Sequence, residues 1–314
     1  MTYRALITGI SGSGGSYLAE HIIKTRDWDV CGFSRWRSGN KGHAPREAKL
    51  REVDLNDVSS ILRGLLWAQP HYIFHLASHA NVRASFDVPL AVLQNNIMGT
   101  ANLLEAMRLW GSTATLLMCS SSEVYGQVRE EETPIRETQA LRPASPYAVS
   151  KVTQDLLART YWLNYKLPVI RTRMFSYFNP RRADLFSTSF ARQIVAIERG
   201  EQAELLHGNL DSVRTMLDVR DAMEAYCAAI EKCTPGEVYN IGGESTCTVG
   251  QILDYLCKRS TARIPYRADT ALLRPTDVTL QIPDAEKFIV STGWGANYTL
   301  EQSIDHLLAH CRAS

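Results

Sequence analysis

Tyr3-Arg4-Ala5-Leu6-Ile7-Thr8-Gly9-Ile10-Ser11-Gly12-Ser13-Gly14-Gly15 is the stretch on which the fold turns. A short apolar run ends at Thr8, glycines follow at once, and from Ser16 to Thr25 the pattern becomes helical, with Leu18, Ile22 and Ile23 on one side. Strand, glycine turn and helix in that order bring the backbone and a helix N-terminus against an anion. Glycine permits the tight turn and the close approach, and the first helical N–H groups supply donors and partial positive charge. Gly9, Gly12, Ser13, Gly14 and Gly15 are therefore candidates for holding the pyrophosphate of a dinucleotide.

Working outward, strand-like runs recur at Val30–Ser34, Leu50–Val53, Tyr72–Leu76, Thr115–Cys119 and Val169–Arg173. Helical patterns fill gaps between them, including Leu90–Leu109 and Pro146–Tyr165. This alternation predicts an α/β fold, a doubly wound parallel sheet of Rossmann type. Past Ser176 the rhythm breaks. Ser189–Arg199, Asp221–Glu231 and Val249–Lys258 read as helices and Val238–Ile241 as a strand, with no flexible linker before them. Residues 1–175 are expected to bind the cofactor and carry the catalytic groups. Residues 176–314 are expected to form mainly a smaller mixed α/β substrate lobe, with 215–245 returning to the first unit. A cleft between the two would be the ligand site.

Composition fits an ordinary globular protein. Of 314 residues, 45% are hydrophobic and 21% charged, and the formal net charge of +1 gives no reason to expect a nucleic-acid or membrane partner. Seven cysteines lie scattered without a C-x-x-C pair, which predicts buried reduced thiols of a cytoplasmic protein. The first strand pattern begins at Tyr3, so no cleaved leader is expected.

The end of the second strand sets the cofactor. An Asp or Glu there would accept from the adenosine ribose and repel a 2′-phosphate. The chain instead reads Phe33-Ser34-Arg35-Trp36-Arg37-Ser38, cationic and without an acid, which favours NADP over NAD because guanidinium matches phosphate. Asp54 and Leu55 are placed for the adenine edge, and Leu76, Ala77 and Ser78 for the nicotinamide half.

Tyr147 and Lys151 stand four apart on a predicted helix and so share a face. An ammonium beside a phenol favours the phenolate, which makes Tyr147 a proton acceptor and donor near neutral pH. Upstream, Ser120-Ser121-Ser122-Glu123-Val124-Tyr125-Gly126 follows the fifth strand, and Ser121 is the hydroxyl expected at the reacting oxygen. Glu123 is more discriminating. A simple ketone reduction needs only Tyr, Lys and Ser, whereas a carboxylate two residues on can take a proton from the carbon beside a new ketone. The alternative is that Glu123 merely caps the next turn.

These residues resemble the extended short-chain dehydrogenase/reductase family, in particular its GDP-mannose 4,6-dehydratase and GDP-4-keto-6-deoxymannose reductase branches. Gly9, Gly12 and Gly15 have that family's spacing, and Ser121, Glu123, Tyr147 and Lys151 match the dehydratase's Thr-x-Glu with Tyr and Lys. Arg35 to Ser38 and Pro180-Arg181-Arg182 also resemble the dehydratase, while Ser122-Glu123-Val124-Tyr125-Gly126-Gln127 and Leu217-Asp218-Val219-Arg220-Asp221 are more like the reductase. The resemblance implies that Ser85, Ser122, Ser176, Asn209, Arg214 and Arg274 contact a nucleotide sugar, with both arginines on the diphosphate. Ser176 stands where the family usually has Asn, and Thr188-Ser189 where the dehydratase has a basic pair.

The function implied is a 4,6-dehydratase that passes hydride from C4 to C6 of a GDP-linked hexose through bound NADP. A reductase of the 4-keto-6-deoxy product is the alternative. A protein that only senses NADP(H) is a third, against which the intact Ser121, Tyr147 and Lys151 argue. His75-x-x-x-His79 and His306-x-x-x-His310 lack further ligands at matching spacing, so no metal is expected. Glu130-Glu131-Glu132 reads as a solvated loop. The resemblance also implies a homodimer, or a tetramer of paired dimers, with the Arg35–Arg46 loop reaching a neighbouring subunit.

Overall fold

The computed structural model describes residues 2–35, 43–273 and 275–314. In chain order its strands are β1 (Tyr3–Thr8), β2 (Trp28–Ser34), β3 (Lys49–Glu52), β4 (Tyr72–His75), β5 (Thr115–Ser121), β6 (Val169–Met174), β7 (Tyr177–Phe178), β8 (Leu205–His207), β9 (Val213–Asp218), β10 (Val238–Ile241), β11 (Ser245–Thr248), β12 (Tyr266–Ala268) and β13 (Leu280–Gln281). The helices are α1 (Ser13–Thr25), α2 (Val58–Ala68), α3 (Ala84–Asp87), α4 (Pro89–Leu93), α5 (Gly99–Trp110), α6 (Pro146–Tyr165), α7 (Phe186–Glu198), α8 (Val219–Lys232), α9 (Val249–Lys258), α10 (Glu286–Thr292) and α11 (Leu300–Arg312).

A seven-stranded parallel sheet in the order β10-β6-β5-β4-β1-β2-β3 forms the centre. Its order reverses between β1 and β4, and the crevice beyond the strand ends at such a point is where doubly wound sheets bind ligands. Leu18 and Ile22 of α1 and Ala222 and Tyr226 of α8 cover one face. Ile61 and Leu65 of α2, Leu103 and Met107 of α5 and Ala158 of α6 cover the other. Where both faces are buried, as at β1 and β5, the strands carry continuous apolar runs, which makes them legible in the sequence; the edge strand β3 is exposed and charged.

The remaining chain builds a smaller layer. A four-stranded sheet has the order β11-β9-β13, with β7 also on β9, and β8 pairs with β12. Phe190 and Ile194 of α7, Ile252 and Leu256 of α9, and Leu307 and Leu308 of α11 make its core. Residues 219–241 rejoin the large sheet through α8 and β10, while β9 and β11 stay with the small one.

Two local features differ from expectation. The helix predicted over Leu90–Leu109 runs from Pro89 to Trp110 but contains a π-turn at Gln94–Met98. The turn places the buried Asn96 so that it bonds both backbone groups of His79, at 2.7 and 3.1 Å, and the Ser150 hydroxyl at 2.9 Å, which ties the end of β4 to α6. The expected solvated run at Glu130–Glu132 is a 3₁₀ turn whose Glu132 accepts from Arg142 and the Arg129 backbone. Those bonds hold its carboxyl down at about 2, with the Arg142 contact foremost. None of the seven cysteines forms a disulfide, and all but the half-buried Cys257 are buried. Among the described residues no helix is long and apolar enough to cross a membrane.

Candidate active site

The glycine turn after β1 is closed by its own hydrogen bonds, Gly12 N to Gly9 O at 2.9 Å and Ser16 N to Gly12 O at 3.0 Å. Gly9 has φ +72°, and a Cβ on Gly15 would run into the Gly9 carbonyl, so neither position tolerates a side chain. Gly12 caps α1 without a side-chain acceptor, and the first turn carries no acid. The first N–H groups of α1 therefore face a cleft of about 310 Å³ lined in part by Gly9, Gly12, Ser13, Gly14 and Gly15. A neighbouring cleft of about 250 Å³ shares Gly9, Gly12, Leu76 and Ser78 and is also bounded by Arg35, Asp54, Leu55 and Ala77. Every cofactor contact expected from the sequence thus lies on one continuous groove.

The same groove receives the four candidate catalytic residues. Ser145 caps α6, accepting from Ala148 N at 3.1 Å, and Pro146 fixes the first turn, so Tyr147 and Lys151 point back into the cleft. Ser121 ends β5 and caps the 3₁₀ turn Ser122–Tyr125, accepting from Glu123 N at 3.2 Å. The Ser121 hydroxyl also bonds the Tyr147 phenol. Glu123 lines the cleft rather than turning to solvent, and its Oε1 accepts from the Gln281 amide at 3.4 Å. Lys151 is buried and donates to the Cys119 carbonyl at 2.9 Å.

Electrostatics here differ from the sequence expectation. Burial pushes the Tyr147 phenol up to about 12, so in the free cleft it is protonated at neutral pH. The strongest charge opposing that rise is the Arg182 guanidinium, ahead of the Ser121 hydrogen bond. Lys151 Nζ sits 5.9 Å from the Tyr147 ring centre, and burial lowers its ammonium to about 8. Arg182 lines the cleft, paired with Asp184 and bonded to the Ala80 carbonyl at 2.6 Å. Its place in the Pro-Arg-Arg run does not reveal this role. Gln281 and Ser187 also line the cleft, and no local pattern in the sequence marks either.

Among the residues expected at substrate, Ser122, Ser176 and Arg214 face the cleft. Arg214 is held by the Val278 carbonyl at 2.5 Å and the Val213 carbonyl at 2.9 Å. Ser85 is fully buried and donates to Val82 O at 2.6 Å, outside the cleft wall. Asn209 is likewise off the wall, its amide donating to Asp277 at 2.9 Å and Ser212 at 3.2 Å. The Ser85 hydroxyl holds a local turn, while the Asn209 amide ties its loop to the segment before β13. Arg274 lies outside the described residues. His75 is buried between Thr8 and Thr100, whose hydroxyls meet its two ring nitrogens at 2.8 and 2.9 Å, and burial drives its ring down to about 3.

A dinucleotide groove at the switch point of a parallel sheet, with Ser, Tyr and Lys converging on its inner end, defines an extended short-chain dehydrogenase/reductase. A family model described as GDP-mannose 4,6 dehydratase matches residues 6–307, and the chain belongs to that family. It is 30% identical to a GDP-6-deoxy-D-mannose reductase of Pseudomonas aeruginosa over 98% of this chain and 97% of that one. It is 28% identical to a GDP-mannose 4,6-dehydratase of Yersinia enterocolitica over 98% and 93%. Among solved structures, RMD from Pseudomonas aeruginosa complexed with NADPH superposes with a TM-score of 0.83 at 28% identity, covering 99% of each chain.

Proposed function

We propose that the chain is an NADP-dependent 4,6-dehydratase of a GDP-linked hexose, with Ser121, Glu123, Tyr147 and Lys151 as its catalytic residues. The observation that carries this reading is Glu123, a carboxylate turned into the cleft two residues from the hydroxyl that bonds Tyr147. The groove suits a dinucleotide. Its helix N-terminus is uncapped by a side chain, and Ser78 Oγ is buried without a hydrogen-bond partner among the described residues. Arg35, with no acid beside it on β2, favours the 2′-phosphorylated form, in line with the NADPH bound by the Pseudomonas structure.

A bound nicotinamide would supply a hydride acceptor and later a hydride donor. The protein's part is proton handling. Tyr147 takes the proton of the sugar 4-hydroxyl as the C4 hydrogen departs as hydride, with Ser121 fixing the oxygen and Lys151 and Arg182 favouring the anion. The new ketone acidifies C5, and Glu123 takes that proton. Two protons then sit on Tyr147 and Glu123. One leaves with the C6 hydroxyl as water and the other returns to C5 as hydride reaches C6. Arg214 suits the diphosphate through its fixed guanidinium. The scattered buried thiols support a cytoplasmic setting.

A second reading is the NADPH-dependent reductase of a 4-keto-6-deoxy sugar. It is favoured by the full-length match to the Pseudomonas reductase and by a Tyr147 phenol that is protonated, hence ready to donate. In that case Glu123 is a bystander. Glu123→Gln separates the two. For a dehydratase, C4 oxidation persists while exchange of the C5 proton with deuterated solvent and water loss disappear; water loss at the unmodified rate would refute the assignment of Glu123.

A further inference from the structure

Gln281 sits on the two-residue strand β13, far along the chain from the catalytic turn, yet its side chain is almost fully buried in the cleft wall. It stands in register with Arg214 on β9, so the strand pair that carries the diphosphate candidate also carries this amide. Its Nε2 donates to Glu123 Oε1 at 3.4 Å, and its Oε1 accepts from the Ser176 hydroxyl at 3.5 Å. Ser176 follows the end of β6, and Glu123 follows the end of β5. One amide from the small sheet therefore bridges the ends of two adjacent strands of the large sheet. The orientation is fixed by chemistry: turning the amide over would set its carbonyl against a carboxylate, acceptor against acceptor. The contacts are long, as catalytic contacts in unliganded clefts often are before substrate draws them in.

We propose that Gln281 is a positioning residue for Glu123, its amide anchored by Ser176 and holding the carboxylate correctly turned for removal of the C5 proton. The bridge limits the rotation that would swing Glu123 away from the sugar. Lying on the strand beside Arg214, the same amide couples the placing of Glu123 to the docking of the diphosphate. This inference rests on the dehydratase reading of Glu123.

The test compares the unmodified protein with Gln281→Met, which keeps length and bulk but removes both polar atoms, and Gln281→Glu, which keeps shape but puts an acid against an acid. Each is mixed with NADP⁺ and GDP-mannose in deuterated buffer under single-turnover conditions, following 340 nm absorbance, C5 deuterium and loss of water. The expected result for Gln281→Met is C4 oxidation within twofold of the unmodified rate, at least a tenfold slower C5 exchange and water loss, and a longer-lived 340 nm transient. Gln281→Glu should be slower still. Water loss by Gln281→Met within twofold of the unmodified protein would overturn the role of Gln281 and leave the dehydratase intact. Equal slowing of both steps would also overturn it, marking Gln281 as merely structural. No water loss from the unmodified protein would instead remove the dehydratase reading itself, and the role with it.

Discussion

Asp155→Ala should damage both the stability of the protein and its catalytic geometry. The Asp155 side chain is fully buried on α6 and meets two buried guanidinia, Arg171 Nη1 at 2.8 Å and Arg173 Nε at 2.9 Å. Arg173 in turn donates to Tyr125 Oη at 3.0 Å, and Tyr125 donates to Asn240 Oδ1 at 2.6 Å. The network thus locks the helix bearing Tyr147 and Lys151 to β6, to the turn bearing Glu123 and to β10. Removing the carboxylate leaves two buried cations uncompensated, which costs about 3–5 kcal/mol. For a chain of this size that lowers Tm by roughly 10 °C, measured by calorimetry or circular dichroism. Burial alone would raise the Asp155 pKa, but Arg173 and then Arg171 outweigh it and hold it below the usual carboxylate range. A depressed pKa contributes stability above the unfolded value of about 4 and loses it as pH falls through the folded one. The unmodified protein should therefore lose this increment in acid and the variant should not. A variant that melts within about 2 °C of the unmodified protein, with the same acid dependence, would refute the argument.

Arg182→Gln removes the charge that most strongly opposes the rise of the Tyr147 pKa, so the phenol should become harder to ionise. The ascending limb of C4 oxidation against pH then moves upward, and activity at pH 7 falls roughly tenfold for every pH unit the limb moves; an unchanged profile would contradict the assignment. A homodimer is also proposed. Val149, Leu156 and Leu163 are exposed at seven-residue spacing on α6, and Leu90, Met98 and Leu109 are exposed on the preceding helical segment. Light scattering should give twice the 35.2 kDa of one chain, and Leu156→Asp with Leu163→Asp should give a monomer. A monomeric unmodified protein would refute this.

The central sheet is legible in the sequence because parallel strands buried on both faces announce themselves as unbroken apolar runs, as at Ala5–Ile7 and Leu116–Met118. Helix α2, capped by Asp57, is not among the helices the sequence pattern singles out. The small lobe is barely legible, because strands of two or three residues carry no period and their pairings join distant segments, such as Leu280 with Val213. The site divides in the same way. Ser121 with Glu123 and Tyr147 with Lys151 are local spacings on single elements. Arg182 and Gln281 are brought in by tertiary folding; the Pro180-Arg181-Arg182 run marks only a resemblance, not this role, and nothing around Gln281 marks it. Local sequence also says little about burial, which is why spacing alone sets the phenol near neutral pH while the folded cleft pushes it far above. Ser85 and Asn209 are expected at substrate by resemblance alone; in the structure the Ser85 hydroxyl bonds within its own turn and the Asn209 amide bonds Asp277, far along the chain.

The most direct test of the central claim is to incubate the purified protein with GDP-mannose and NADP⁺ while following product mass and 340 nm absorbance together. The account predicts loss of one water with no net change in NADPH. Unchanged GDP-mannose, together with stoichiometric NADPH oxidation when a GDP-4-keto-6-deoxy sugar is supplied, would contradict it and make the protein the reductase.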